Sequence, residues 1–513
     1  MRALTVFLLL ICVLCLLPQG AAAQSVNLTP LRSVRGSLLT AESEAVWAFN
    51  ARLGMPIAAQ VQAVSGNLLP TLELYTPEGD LLASGALSSY ATVTLQNVRA
   101  PREGRYTLRV AAREGAGDYR LMLLNGYAAL LLNDTMDGRT VFRTWLEPRR
   151  RVTLSEGRLL AQVAVNNGSA YTTATQLDPL RDFYLQTELR IQSVGAWQAA
   201  LLLRASEPNE RLQGYALALN HLRQWRLVAF RDGVGEPLRD WQPLGVALPA
   251  VDTPFTVAVL LEGERFTFWV NGAQIATFSD ATFSAAGQVG IWIGGGAPPE
   301  NFVSALWDNV IITVPAAPAS STPILPPERL PNWNGSPSQI TAALVAARLT
   351  AGQGLGVLRL PEAFVTNNTA GGILYTPLAR GEAFSDLIFS ADVIWESDND
   401  AFACAFGFGA TEGVAYSLVY FDQRGGVGVR QEGSGALLNF YDLREATNRQ
   451  SGATNRLTVI AVGNGVIVYL NGTLVAHQAL VQRSGSLYIA AFNYERASSL
   501  CRFRDVWLRS LSP

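Results

Sequence analysis

Two histidines, His221 and His477, are the whole imidazole supply of this 513-residue chain. A zinc site gathers two or three His or Cys ligands, and these two lie far apart in sequence, so no metal site is expected. A Ser-His-Asp triad would have to be built around one of them, and no Gly-x-Ser-x-Gly elbow marks a nucleophile. Acid–base hydrolysis of a glycosidic bond needs two carboxyl groups about 5–5.5 Å apart for retention or about 6.5–9.5 Å for inversion. The densest acidic run is Trp395-Glu396-Ser397-Asp398-Asn399-Asp400. Extended, it would put Glu396, Asp398 and Asp400 on one side, but Ser, Asn and Asp clusters between strand patterns form turns. Glu188, in FYLQTELRI, is the best single inward carboxylate, and its counterpart further along is Asp392. One acid per sheet is not a mechanism. The expectation is that no residue is catalytic, with Glu188, Glu396 and Asp398 as the carboxylates an alternative, hydrolytic reading would use.

The basic residues narrow the chemistry further. Lys and Arg together number 39, and every one is Arg. A Walker-type phosphate loop, a Schiff-base enzyme and a Lys isopeptide cross-link are therefore excluded. The net charge of −2 gives no electrostatic case for nucleic acid.

The N-terminus reads Met1-Arg2, then ALTVFLLLICVLCLL, a Pro-Gln-Gly break and Ala21-Ala22-Ala23. One positive charge, an apolar core and small residues at the cut make a secretory signal peptide, residues 1–23, with cleavage expected after Ala23. The apolar run is short of the ~20 residues a membrane span needs, and no later stretch reaches that length, so no span is expected after cleavage. The location expected is secreted, extracellular or on the cell surface. Cleavage removes Cys12 and Cys15 and leaves Cys404 and Cys501. In an oxidising compartment an isolated pair is a disulfide candidate; the alternative is two buried thiols acting as small hydrophobes.

These residues are carried by strands. Segments of about five to nine residues alternate or run apolar, with Gly, Asn, Asp or Pro between them. Only Gln339–Arg348 and the short 178–181 stretch suggest helix. The fold class expected is all-β: three β-sandwich domains in tandem at 25–124, 126–315 and 332–513, with a Pro-rich, semi-rigid linker at 316–331. FTFWVNGAQIATF at 266–278 and VIVYLNGTLVAHQ at 466–478 each read as a hairpin with an Asn-Gly turn, because both central positions need positive φ. Around them Asp182-Phe183 matches Asp386-Leu387, Gly214–Leu219 matches Val414–Val419, Gly287–Trp292 matches Gly485–Ala490, and Trp307–Val310 matches Phe503–Val506, in the same order. The last two domains are read as a duplication.

The first domain carries Trp47 and Phe49 after an acidic stretch, Pro77-Glu78-Gly79-Asp80 before a short strand, and Gly104-Arg105-Tyr106 near its end. These phrases resemble the bacterial pre-peptidase C-terminal domain, a small jelly roll. Some relatives bind calcium through acidic loop residues, which makes a structural calcium at Glu42, Glu44, Glu78 and Asp80 conceivable against the plainer reading of a solvated surface. The Asp182-Phe183 strand, Leu203-Arg204-Ala205, Gly214-Tyr215, Val270-Asn271-Gly272, the strand at 287–290 and Asp308-Asn309-Val310 resemble the concanavalin A/laminin-G-like jelly roll. Within it they are similar to the branch that includes the 3-keto-disaccharide hydrolase domain; in the third domain several of these marks are worn.

The resemblance implies a curved sheet that handles sugars. Sugar rings stack on Trp and Tyr while Arg, Asn and Gln bond the hydroxyls, so the ligand-binding candidates are Arg204, Tyr215, Trp225 and Trp241 in the second domain and Tyr416, Tyr420, Asn439 and Tyr441 in the third. The plainer reading of each aromatic is core packing. The function expected is non-catalytic recognition, with carbohydrate or cell-envelope glycan as partner and no cofactor. The alternatives are a carbohydrate-active hydrolase on the same fold and a structural or adhesive surface protein.

Overall fold

The structure, a computed structural model, describes residues 26–511 except 90–91, 138–139, 166–167, 296–300, 317–324, 370–371, 397–401, 411–416, 423–424, 432–436, 443–444, 464, 480–483 and 494–497. The expected leader, Asp398 and Tyr416 therefore lie outside the described residues, as does the middle of the Pro-rich stretch.

The chain is all-β, with 63% strand against 3% helix. Among the described residues the strands fall into six sheets, two to a domain. In the first domain two five-stranded sheets enclose a core in which alternate residues of Gly104–Glu114, Tyr106, Leu108 and Val110, point inward and are fully buried. This is the period-2 pattern of a half-buried strand.

The second and third domains share one topology. In the back sheet of the second, strands run 158–164, 302–314, 183–191, 255–262, 265–270 and 273–279 in spatial order; in the third the order is 355–367, 499–510, 387–396, 454–462, 465–470 and 473–479. The front sheets correspond strand for strand as well: 169–173, 288–294, 198–206, 213–220, 224–231 and 234–237 against 373–384, 485–493, 402–410, 417–422, 426–431 and 437–442. The second domain adds edge strands at 129–134, 145–146, 150–155 and 242–243.

Local chemistry repeats with the topology. Asn271 and Gly272 have φ of +49° and +72°, Asn471 and Gly472 +51° and +79°, the geometry of a two-residue primed hairpin turn. Asn271 Oδ1 accepts from the Thr256 amide, and Asn471 Oδ1 from the Arg456 amide. Asp182 accepts from the Gly263 amide and Asp386 from the Gly463 amide, so each aspartate closes the same turn. Asn309 and Asp505 both take positive φ at a bulge in the long back strand.

Among the described residues one α-helix stands beside these strands. Pro337–Ala346 starts at a capping box, Ser336 with Gln339, and packs Ile340 and Leu344 on the outer face of the third domain's back sheet against Ile388, Ile460 and Trp507. The 178–181 stretch is not helical: Leu180 bridges to Gly287 instead. The linker's C-terminal half is docked rather than extended into solvent. Glu328 and Leu330 bond the hairpin residues Leu474 and Gly472, and Tyr469 donates to the Pro327 carbonyl.

The domains also touch one another. Arg99 pairs with Glu262 at 2.9 Å, Arg509 with Asp178 at 2.7 Å, and Arg120 with Asp386 at 3.4 Å. Among the described residues no helix is long and apolar enough to cross a membrane.

Candidate functional site

Alternation along the front sheet of the second domain sends one set of side chains into the core and the other outward. Leu201, Leu203, Tyr215, Leu217, Leu219, Trp225, Ile291 and Ile293 point inward and belong to the main core. Ala200, Ala218, Arg226, Trp292 and Tyr171 point outward, and the register places them side by side: Tyr171 opposite Trp292, Trp292 opposite Ala200, Ala200 opposite Ala218, and Ala218 opposite Arg226. Small residues thus form a floor between an aromatic pair and a guanidinium. Gly294 extends the floor beneath the Trp292 ring, where a Cβ would run into the indole.

The guanidinium of Arg226 lies 4.4 Å from the ring centroid of Trp241 and donates to Gln198 Oε1 at 3.1 Å. Stacking of this kind holds the cation flat on the aromatic face. Burial works to lower the Arg226 pKa, which Asp240 partly offsets. Burial also raises the Tyr171 pKa, and Glu207 adds to the rise, so its phenol remains a neutral donor at ordinary pH. Phe230 closes the far side against Trp292 at a centroid distance of 6.5 Å. The cluster on this face consists of second-domain residues alone, with Tyr171, Phe230, Trp241 and Trp292 all half-buried. A surface of this composition can stack a ring and hydrogen-bond its substituents.

Of the candidates read from sequence, only Trp241 stands on this face. Tyr215 is fully buried in the core. Its hydroxyl donates to Asp280 Oδ1 at 2.8 Å and accepts from the Phe283 amide, and burial pushes its pKa up to about 12. Trp225 is also a core residue, stacked on Phe278 at 5.3 Å. Arg204 sits at a bulge with φ +49°, which turns its side chain inward; it donates to the carbonyls of Arg181, Gly263 and Phe283 and lies 3.7 Å from Asp182. Three of the four second-domain candidates are therefore structural. Sequence reasoning missed Tyr171, Trp292, Arg226, Gln198 and Phe230. Parity gave only part of the signal: Trp292 shares its phase with Gly290 and Gly294, but Leu202 shares the phase of Ala200 and Ala199 that of Leu201 and Leu203, so size does not separate the two faces.

In the third domain Tyr420 does lie on the outward face, 5% exposed, with its ring across Gly428 and 5.7 Å from Phe492. Tyr375 and Tyr488 stand beside it, edge to face at 6.2 Å. Asn439 and Tyr441 belong to strand Leu437–Asp442, of which the backbone alone is described.

The carboxylates of the hydrolytic alternative are placed elsewhere. Glu188 points outward from the back sheet, opposite Thr256 and Asp308, not inward as the sequence suggests. Its counterpart Asp392 pairs with Arg456 at 3.0 Å. Glu396 is the last residue of strand Leu387–Glu396 in the other back sheet and pairs with Arg502 at 3.2 Å. In the first domain Glu44 pairs with Arg109 and Glu78 with Arg102. Among the described residues no three His, Cys, Asp or Glu side chains gather as a metal site would require. Cys404 and Cys501, both fully buried, are joined by a disulfide.

No protein-family model matches the chain, and no curated protein matches it. Solved structures do resemble single domains. A carbohydrate binding module, CBM66 from Bacillus subtilis, is 16% identical over 34% of this chain and 96% of that one, with a TM-score of 0.27. A Bacillus licheniformis beta-glucanase is 11% identical over 36% and 99%, with a TM-score of 0.28. The pre-peptidase C-terminal domain of a Bacillus anthracis collagenase is 20% identical over 20% and 94%, with a TM-score of 0.18. At such identities these are likenesses of fold.

Proposed function

We propose that this chain is a secreted or cell-surface recognition protein that binds carbohydrate without transforming it, and that the outward face of the second domain's front sheet is the binding surface. The observation that carries the reading is the row Tyr171, Trp292, Ala200, Ala218, Arg226, with Trp241 over the guanidinium. The C–H face of a sugar ring matches the half-buried aromatic planes of Tyr171, Trp292 and Trp241 that cover the buried alanines, and its hydroxyls match Arg226 and Gln198. The central polar groups of this face are a guanidinium and an amide, neither of which is an acid for glycosidic cleavage. A buried disulfide supports an oxidising location. No cofactor enters this reading.

The test is binding of the full chain to a glycan array, repeated with Trp292→Ala and Trp241→Ala. Loss of one stacking plane, about 1.4 kcal/mol, weakens a bound glycan about tenfold. Equal binding by the double variant, or no glycan bound by the wild-type chain, would remove this face as the site.

A further inference from the structure

A second concavity lies between the first and second domains, on the opposite side of the sandwich from the aromatic row. It is a cleft of about 490 Å³, within the size range of small-ligand sites and at the kind of place, a domain junction, where they concentrate. Its walls come from two domains: Asn50, Arg52 and Met55 from the first, and Gln186, Thr256 and Trp269 from the outer face of the second domain's back sheet.

The junction that forms it is packed and bonded. Gly126 passes with φ +75° against the Cβ of Tyr184, where no side chain would fit. Tyr127 donates to the Leu261 carbonyl at 3.1 Å, and Arg52 to the Asn271 carbonyl at 2.7 Å.

The polar groups of the cleft have a direction. The Tyr184 hydroxyl, kept protonated by burial, donates to Gln186 Oε1 at 2.8 Å. That bond occupies the amide oxygen and leaves the Gln186 NH2 for the cleft. Two of the lining side chains carry buried atoms without a hydrogen-bond partner, the donor Trp269 Nε1 and the acceptor Asn125 Oδ1. A buried donor or acceptor left unmade costs about 1–3 kcal/mol. Those two atoms are themselves closed to solvent, so the groups a ligand meets are the Gln186 NH2 and the Asn50 amide, a donor and acceptor set that a hydroxyl group, which both donates and accepts, matches.

The charged residues, Arg52, Glu103 and Arg105, are all exposed and of both signs. An anion held there would be screened by water, so these residues add little to the affinity of a charged ligand.

From these features we infer that the cleft is a second binding site, formed jointly by the first and second domains, for a single neutral polyhydroxylated ring. The inference stands apart from the reading of the front sheet, since no residue is common to the two sites.

The experiment uses the full chain and measures binding by saturation-transfer NMR and calorimetric titration. Glucose, galactose, N-acetylglucosamine and myo-inositol are the neutral probes, and glucuronate is the anionic one. The variants are Gln186→Leu, Asn50→Ala and Ala258→Phe for the cleft, and Trp292→Ala with Trp241→Ala for the front sheet. The expected result is saturable binding of at least one neutral probe, weakened tenfold or more by Gln186→Leu and Ala258→Phe. Asn50→Ala, on an exposed strand residue that cannot unfold the core, weakens it several-fold, and the front-sheet pair changes it less than twofold. Binding of no neutral probe, binding of glucuronate alone, or neutral binding lost only in the front-sheet pair would each overturn the inference. In the last case the front-sheet reading survives and the cleft does not.

Discussion

Tyr215 is the residue whose role the structure changes most, and its chemistry can be measured. Its hydroxyl bridges the Asp280 carboxylate and the Phe283 amide inside the second domain. At Asp280 burial opposes the charge, but bonds from Thr282 and Tyr215 outweigh it and hold the pKa below the ordinary 3.8. A carboxyl whose folded pKa is depressed stabilises the fold above its unfolded pKa, and the contribution is lost as pH falls through the folded value. Tyr215→Phe removes one of the lowering bonds and leaves the Phe283 N–H unmade. The expected cost is about 1–3 kcal/mol at pH 7 by urea unfolding, and smaller as the pH falls below the ordinary carboxylate range and the Asp280 contribution is lost. A cost independent of pH would show that the bond to Asp280 contributes nothing ionic. Glycan binding stays within twofold, because the side chain faces the core. Arg204 follows the same logic: a guanidinium buried among three carbonyls fixes loops and touches no ligand surface.

At the scale of the strand, the proposed binding face rests on which residues are small. Gly294 has ordinary backbone angles, so Gly294→Ala strains no φ; its new methyl instead enters the space of the Trp292 indole. The ring must tilt off the floor. We expect a stability cost of about 1–3 kcal/mol from the overpacking and a several-fold weaker glycan interaction, read by thermal melts and titration of the same preparation. A variant of unchanged affinity would mean that Trp292 does not contact the ligand. This dependence explains how much was legible in advance. Turn chemistry gave the two Asn-Gly hairpins and the all-β class, because Asn-Gly and period 2 are local signals. The site was not local. QAALLLRAS and QGYALALN are apolar in both phases, since each face of the front sheet is largely buried, so alternation identified the strands without saying which phase faced the core. The bulge at Arg204 then turned one candidate inward with no signal in composition. Glu188 was assigned inward for the same reason, in a strand whose phase could be settled only by its neighbours.

At the scale of the whole molecule, the two related sandwiches differ in one covalent respect. The disulfide joins strand Phe402–Ala410 of the third domain's front sheet to Ser499–Ser510 of its back sheet, and so ties the sandwich through its core. Register carries the same positions in the second domain to Ala199 and Ala305, both buried at 1% or less. The second domain therefore holds its two sheets at this depth by packing alone, with two buried alanines at the positions of the bridge. Cys404→Ala with Cys501→Ala gives the third domain the second domain's arrangement, and the native state should accept it sterically. What disappears is the constraint on the unfolded chain: the bridged residues are 97 apart, and closing a loop of that length is worth up to about 4–5 kcal/mol in the loop-entropy account. Calorimetry of the double variant should show the third domain's transition at lower temperature, with the second domain's shifted only to the extent that contacts such as Arg509–Asp178, Ser338–Asp178 and the packing of Leu355 couple them. Reductant should move the wild-type transition the same way and leave the variant's where it is. A wild-type profile insensitive to reductant under unfolding conditions would mean that packing, as in the second domain, already suffices.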